Sequence, residues 1–166
     1  MLNMGGRGNI KSSMFKRLIL AIFISLLFFQ QANSTEALEG FIKFVSKKGA
    51  IVFLELAITS EEQTKGLMDR PLLEKNRGMV FVFRPEKKVT FTMKNTLIPL
   101  DIIFINRGKI VKIVRNAESN QTHTLYPSEE IVSEVVEVNG GYATRHGIKL
   151  GDKIKFKNIA QIDYSK

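Results

Sequence analysis

Lys94, Asn95 and Asp101 are the polar side chains best placed to do chemistry, because they interrupt an otherwise apolar stretch of the chain. A charged group among apolar residues needs a partner or a ligand, since burying it alone is costly. We therefore expect Asp101 to pair with a nearby cation, Lys94 or Arg70, or with a set of backbone donors. With an acid and a cation in one place, the cluster is suited to hold a small polar or anionic ligand.

Two compatible interpretations of this cluster remain open. In the first, Asp101 only ties down the loop, and Asn95 adopts a left-handed turn conformation. In the second, the cluster forms a polar pocket, because a buried polar network can fix a loop and also present donors. Such a pocket would have the apolar floor Phe91, Met93 and Phe104 and the polar rim Arg70, Lys94, Asn95 and Asp101.

Arg70 stands directly after a predicted helix and before Pro71. Its planar guanidinium presents a fork that fits a carboxylate or a phosphate. A salt bridge to Asp69, Glu74 or Asp101 would explain the residue without any ligand. Arg70 is therefore a candidate for the edge of the site, with a structural alternative.

Glu137 is an acid inside an apolar run. Alternation along a strand makes it either solvent-facing or paired within the core, and places Glu134 on the opposite face. Because a carboxylate can abstract a proton, Asp101 and Glu137 are candidates for the general base of a hydrolase.

His123 and His146 lack metal-ligand spacing, and the sequence has no phosphate-binding loop or dinucleotide fingerprint, so we expect no metal and no cofactor.

Short strands and two short helices must position these residues. Segments rich in β-branched and aromatic residues predict strands over residues 41–45, 50–58, 78–83, 89–93, 101–105, 109–114, 131–138 and 153–156. Thr59 and Glu62 form a capping box that predicts a helix, and residues 141–146 can form a helical turn. We therefore predict a mainly β (α+β) fold: a compact single-domain β-barrel or sandwich of short strands with one or two short helices.

The sequence also predicts which strands are most deeply buried. The segment 50–58 has one charge, Glu55, among β-branched and aromatic residues, so we expect it to be buried on both faces. We expect core residues on two neighbouring strands, namely Phe81, Phe83, Ile103 and Ile105. A turn with glycine at a positive φ is predicted at residues 106–108.

The start of the chain resembles a secretory signal peptide. It has a positive region, an apolar run and two small residues: Lys11, Lys16 and Arg17, then residues 18–29, then Ala32 and Ser34. This apolar run is short for a membrane span, which needs about 20 residues. The alternative to a cleaved leader is an uncleaved anchor, which would leave the domain in the same compartment. We therefore predict a leader over residues 1–34 and an exported, periplasmic or extracellular domain over residues 35–166, without stable membrane insertion after cleavage.

Charge and cysteine content exclude several classes of function. The formal charge of +9 falls to +5 without the leader, which carries four of the cations and no acid. The remaining lysines are scattered, whereas nucleic-acid binding needs a clustered basic face, so we expect no nucleic-acid partner. The chain has no cysteine, which excludes disulfides, thiol nucleophiles and cysteine metal sites.

Four motifs in this order resemble the domain of unknown function 192 family. They are Gly66-Leu67-Met68-x-Arg70, Gly78-Met79-x-Phe81-x-Phe83, residues 91–101, and Gly147-Ile148-x-x-Gly151-Asp152. The resemblance implies a compact, mainly β single domain that is often exported in bacteria, and it supplies no catalytic residues. It also implies that an acid is common at the position of Glu137, and that Thr92 stands where a tryptophan is usual.

The sequence is compatible with three functions. The first is an exported domain that binds a small polar or anionic ligand, a glycan or an envelope component, around Lys94, Asn95 and Asp101. The second is an envelope hydrolase with Asp101 or Glu137 as general base and a cation that stabilises developing negative charge. The third is a structural or interaction protein of the cell envelope, in which the cluster only fixes the loop.

Overall fold

The computed structural model describes residues 40–44 and 49–157. These residues all belong to one compact unit, Ala37–Lys166. The predicted leader, residues 1–34, lies outside the described residues. Within the described ranges, no helix has the length and apolar character needed to cross a membrane.

The described residues form nine strands and two short helices. In chain order they are β1 (Gly40–Phe44), β2 (Ile51–Ala57), α1 (Ser60–Lys65), β3 (Arg77–Lys87), β4 (Thr90–Thr92), β5 (Leu100–Asn106), β6 (Lys109–Ala117), β7 (Leu125–Pro127), β8 (Val132–Asn139), α2 (Tyr142–Arg145) and β9 (Ile154–Lys157). The predicted mainly β fold is confirmed. Strand β7 was not predicted, because a three-residue strand is too short to show alternation.

Seven strands form one sheet in the order β6-β5-β8-β3-β2-β1-β9, and β4 pairs with β7 in a separate ribbon. Strands β2 and β3 are parallel, with α1 in the crossover, and the other pairs of described strands are antiparallel. The two ends of the sheet approach each other where Ile110 N–H donates to Asp152 O at 3.0 Å. The sheet does not close into a barrel, so the predicted sandwich is the correct alternative.

The central strands are buried on both faces. Alternation sends successive side chains of β3, β5 and β8 to two separate cores. The α2 core lies under helix α2 and includes Val80, Val82, Ile103, Ile105, Val136, Val138 and Tyr142. The ribbon core lies under the β4–β7 ribbon and includes Met79, Phe81, Phe83, Ile102, Phe104 and Val135. The ribbon contributes Phe91 and Tyr126, which are partly buried against this second core.

The expectation that β2 is buried on both faces is wrong. Val52 and Leu54 are fully buried in the α2 core, whereas Ile51 and Phe53 are 43% and 47% exposed. The apolar composition of β2 therefore does not reflect two covered faces. At this end of the sheet, only the face toward the α2 core is covered over residues 51–54.

The expectation about neighbouring core strands is half correct. Phe81, Phe83, Ile103 and Ile105 are all buried. However, β8 lies between β3 and β5 in the sheet. The two phenylalanines belong to the ribbon core and the two isoleucines to the α2 core, so the pairs face opposite sides.

Local sequence signals set the helix start and the tight turn as predicted. Thr59 Oγ1 accepts from Glu62 N–H at 3.2 Å, and Glu62 Oε2 accepts from Thr59 N–H at 2.9 Å, so the capping box is present. Arg107 and Gly108 connect β5 to β6 with φ values of 48° and 74°. Two left-handed residues in a two-residue hairpin loop match the right-handed twist of the strands.

Truncating one residue on each face of β5 tests whether both cores are packed. Ile103 and Phe104 are adjacent and have 0% exposure, but they lie in different cores. We expect Ile103→Ala to lower the free energy of unfolding by about 2–5 kcal/mol and Phe104→Ala by about 3–5 kcal/mol, measured by urea unfolding. A loss below about 1 kcal/mol for either variant would show that its face is not packed.

Candidate functional site

A cleft with a cavity volume of about 540 Å³ opens on the ribbon side of the sheet. Helix α1 and residues 66–68 form one wall, residues 87–92 form the other, and the sheet forms the floor. The side chains with chemical character along it are Gln63, Thr64, Lys65, Phe81, Phe83, Lys87, Lys88, Phe91, Thr92 and Glu137. The volume lies within the range of about 300–1,000 Å³ that is usual for small-molecule sites.

Glu137 is the buried acid at the floor of this cleft, with 5% of its surface exposed. Among the described residues, no side chain or backbone N–H group donates a hydrogen bond to its carboxylate. Burial raises the pKa of Glu137 to about 8, so the group is mostly protonated at pH 7. The sequence offered a solvent-facing acid or a paired one; Glu137 is instead 5% exposed, opens to the cleft and has no partner among the described residues.

The register of the sheet places Glu137 on the ribbon side. It lies opposite Met79 of β3 and Ile102 of β5, and both belong to the ribbon core. Directly opposed residues of an antiparallel pair share a face. Glu55 of β2 lies beside Met79 and continues the same row. Glu134 faces the α2 core, as the predicted alternation requires.

Gly66 allows the loop after α1 to approach the floor of the cleft. It ends the helix with a φ of 47°. A Cβ atom at this position would lie 3.1 Å from Cζ of Phe81 and 4.0 Å from Oε2 of Glu137. A larger residue would therefore strain the backbone and displace the phenyl ring. Because Gly66 has no side chain, the loop can lie close to the ring of Phe81 and the carboxyl group of Glu137.

Gln63 holds helix α1 at the edge of the cleft. Its Nε2 donates to the carbonyl oxygen of Val82 at 2.8 Å and to that of Ile58 at 3.1 Å. Helix α1 has no buried residues, so packing does little to hold it against the sheet. The hydrogen bonds of Gln63 provide this attachment instead. The amide of Gln63 is thus committed to positioning the wall.

Phenyl rings form the apolar part of the cleft. The rings of Phe81 and Phe91 meet edge to face, with centroids 4.9 Å apart and an interplanar angle of 88°. The ammonium group of Lys87 lies 5.3 Å from the ring centroid of Phe83, within the range of a cation–π contact. The aromatic wall therefore already accepts one cation, at the mouth of the cleft.

Exposed cations surround the mouth of the cleft. Lys65, Lys87 and Lys88 line it and are exposed to solvent. In the part of the chain that the structure describes, none of the three forms an ion pair with a carboxylate. Thr64, Thr90 and Thr92 are further lining residues. The cleft thus combines an acid at its floor with positive charge at its mouth.

Asp101 is fully buried and belongs to a different part of the molecule. Its Oδ1 accepts from the N–H groups of Asn116 at 2.7 Å and Gly141 at 2.9 Å, and its Oδ2 accepts from Ala143 N–H at 2.7 Å. Gly141 is the N-cap of α2, so the carboxylate satisfies N–H groups that the start of this helix leaves unpaired. Of the two kinds of partner predicted, backbone donors are present and cations are not.

The position of Asp101 corrects its predicted roles as a pocket rim and as a general base. Asp101 lies opposite Val138, in the α2 core, and one residue before Ile102, in the ribbon core. It therefore faces away from the cleft and from Glu137. Both of its oxygens are committed to the backbone.

Arg70 forms a salt bridge, but its partner was not predicted. Its two terminal nitrogens each lie 2.6 Å from an oxygen of Glu55. This hydrogen-bonded pair lowers the pKa of the Glu55 carboxyl and raises the pKa of Arg70. The partners expected from the sequence, Asp69, Glu74 and Asp101, are replaced by this residue of β2. Arg70 does not line the cleft.

Lys94 and Asn95 lie in an exposed turn. Asn95 has a φ of 56°, as the turn interpretation expects, and its carbonyl oxygen accepts from Asp69 N–H at 2.8 Å. The Lys94 side chain has neither a hydrogen bond nor an ion pair among the described residues. Neither residue lines the cleft. The structure therefore does not bring Lys94, Asn95 and Asp101 into one pocket.

The residues that line the cleft were assigned other roles by sequence reasoning. Phe81 and Phe83 were predicted only as core residues, and Lys87 and Lys88 were assigned no role. The cleft depends on where the β4–β7 ribbon lies over the sheet, which local patterns do not reveal. Glu137 gave the one usable signal, as an acid inside an apolar strand. Within the described residues, no group of three or more His, Asp or Glu side chains is placed to hold a metal.

The fold and the cleft define a mainly β, single-domain protein. The chain belongs to the family described as uncharacterized ACR, the domain of unknown function 192, whose model matches residues 43–156. The family resemblance seen in the sequence is thus confirmed. Among curated proteins, none matches the chain.

Two solved structures are similar to this chain. One, from Novosphingobium aromaticivorans DSM 12444, is described as a protein of unknown function; it is 39% identical, with a TM-score of 0.68, and the match covers 74% of this chain and 89% of that one. The other, from Sinorhizobium meliloti 1021, is described as a proposed transcription regulator. It is 31% identical, with a TM-score of 0.68, and the match covers 73% of this chain and 95% of that one.

Replacing Glu137 by glutamine should remove a pH dependence of stability. The native pKa of about 8 lies above the ordinary value of 4.5, so the native state retains a proton that the unfolded state loses. The wild type should therefore lose stability as the pH rises between these values. We expect Glu137→Gln to gain roughly 3–5 kcal/mol relative to the wild type between pH 5 and pH 9, in urea unfolding. Parallel pH profiles for the two proteins would show that Glu137 is not buried as described.

Replacing Asp101 by asparagine should destabilise the fold without affecting the cleft. The amide NH₂ group would face Ala143 N–H, leaving a buried donor unpaired, and the charge that strengthens the other bonds would be lost. We expect a loss of about 2–3 kcal/mol in the free energy of unfolding. An Asp101→Asn variant as stable as the wild type would contradict the three backbone contacts.

Proposed function

We propose that this chain is an exported domain that binds a small polar or anionic molecule in the cleft. The observation that carries the proposal is Glu137, an acid with 5% exposure and no partner among the described residues, at the floor of a cleft. A fold leaves such a group unsatisfied at a cost to stability, and perturbed acids in clefts mark functional sites. The exposed lysines at the mouth favour a ligand that carries negative charge.

Export rests on the sequence of the first 34 residues. The positive region, the apolar run of residues 18–29 and the small residues Ala32 and Ser34 support a leader removed on secretion. In this proposal the ligand is a molecule of the periplasm or the cell exterior, such as a glycan fragment or an envelope component.

A hydrolase is the second candidate, and one observation favours it. Glu137, whose pKa is raised to about 8, could serve as a general base with lysines nearby to stabilise negative charge. Asp101 is no longer a candidate for the general base, because its oxygens accept hydrogen bonds from backbone N–H groups. We rank binding above hydrolysis, since the cleft contains hydroxyl groups but none hydrogen-bonded to Glu137.

We propose neither a nucleic-acid partner nor a purely structural role. The description of the Sinorhizobium protein as a proposed transcription regulator concerns that protein. In this chain, several arginines are paired with acids, Arg70 with Glu55 and Arg84 with Glu134, which reduces the basic surface offered to phosphates. A structural role would leave the unpaired acid in the cleft without explanation.

A thermal-shift screen of the mature domain against a diverse library of polar and anionic metabolites tests the proposal. A compound at one hundred times its dissociation constant should stabilise the domain by about 2.7 kcal/mol. We expect Lys88→Met to weaken binding of an anionic compound about tenfold, because that lysine lines the cleft. Turnover of any compound that binds would favour the hydrolase.

Lys94→Met is the matched control for the binding site. It removes the same charge from an exposed lysine outside the cleft, so affinity should not change, and stability should change little in either variant. If Lys94→Met weakened binding and Lys88→Met did not, the cleft would be the wrong site. A library with no compound that stabilises the domain would overturn the binding function.

A further inference from the structure

Glu137 is surrounded by groups that suit a cation. Gly66 is close to both the ring of Phe81 and the carboxyl group, since a Cβ atom there would lie 3.1 Å from Cζ of Phe81 and 4.0 Å from Oε2 of Glu137. Phe83 and Phe91 continue the aromatic lining toward the mouth. Phenyl rings attract cations and a carboxylate supplies the opposite charge, so this combination of lining residues suits an ammonium group.

None of the charged groups on the elements around Glu137 forms an ion pair with it among the described residues. On the sheet, the nearest acid in its row is Glu55, and Arg70 already neutralises that residue. On α1 and the ribbon wall, the charged groups that line the cleft are Lys65, Lys87 and Lys88. Lys87 is directed to the ring of Phe83 and not to the acid. The protein therefore provides Glu137 with no counter-ion among the described residues.

We propose, resting on the proposed function above, that the ligand is a small zwitterion whose ammonium group lies against Glu137 and the phenyl rings and whose phosphate or carboxylate lies among the mouth lysines. Each end of the cleft then meets its opposite charge. The lysines set the direction, because they would repel a cation at the mouth, whereas an anion at the floor would lie away from their charge.

Ligands with only one of these groups use only half of the cleft. A simple anion would bind the lysines but leave Glu137 buried without a partner. A neutral polyol could accept a hydrogen bond from the protonated acid but would leave the lysines unused. A simple amine could bind Glu137 at the floor, but the three exposed lysines at the mouth would repel it as it entered. The zwitterion alone satisfies both charged ends.

Matched sets of small molecules test this inference by titration calorimetry at pH 7. One set is phosphoethanolamine, 2-hydroxyethyl phosphate and ethanolamine; the longer set is glucosamine 6-phosphate, glucose 6-phosphate and glucosamine. In each set, one compound lacks the ammonium group and one lacks the phosphate. We expect one zwitterion to bind at least tenfold more tightly than both of its matched partners, and the two sets distinguish a headgroup-sized ligand from an amino-sugar phosphate.

Glu137→Gln shows whether the acid causes the preference. In this variant the zwitterion should bind no better than its hydroxyl analogue, while Glu118→Gln, an exposed acid outside the cleft, should keep the full preference. Binding of the ammonium group should also release a proton from Glu137. The binding enthalpy of the wild type should therefore depend on the ionisation enthalpy of the buffer more strongly than that of Glu137→Gln.

The outcomes separate this inference from the proposed function. If the hydroxyl analogues bind as tightly as the zwitterions, or if Glu137→Gln keeps the preference, the inference is overturned and the binding function stands. The same holds if no zwitterion binds and the library yields a cleft ligand without an ammonium group. If no compound of the library binds, the proposed function fails and the inference fails with it.

Discussion

The carboxylate of Asp101 is the contact on which the arrangement of this domain depends. It joins β5 to Asn116 at the end of β6 and to Gly141 and Ala143 at the start of α2. A four-residue helix has little stability of its own, so α2 needs this anchor to stay over the sheet. With α2 held there, Tyr142 and Ala143 cover one face of the central strands. The opposite face is left for the ribbon and the cleft.

Asp101 and Glu137 show how one sheet handles two buried acids differently. They lie on adjacent strands, one residue apart in register, and therefore face opposite cores. Asp101 receives three backbone N–H groups, and the partly or fully buried acids Glu55 and Glu134 are paired with arginines. Glu137 has no such partner among the described residues, and its pKa rises to about 8. Where neighbouring acids are all satisfied, an unsatisfied one in a cleft is a candidate functional group.

The sequence predicted the local features of the fold better than the site. The capping box of Thr59 and the turn at Arg107 and Gly108 depend on a few adjacent residues, so their patterns were sufficient. The choice of partner for Arg70 depends on the parallel pairing of β2 and β3, which no local pattern specifies. The same holds for the cleft, because its walls come from α1 and from the ribbon, segments about 25 residues apart along the chain.

The separation of charges within the cleft also explains how the fold tolerates these ionisable groups. The lysines are at the mouth, where water solvates them and their mutual repulsion is screened. Glu137 is at the floor, where an ionised carboxylate would be poorly solvated, and protonation removes that charge. The domain thus avoids a buried charge at the floor of the cleft at neutral pH. A cation placed at the floor, as in the ligand proposed above, would favour the ionised form of Glu137.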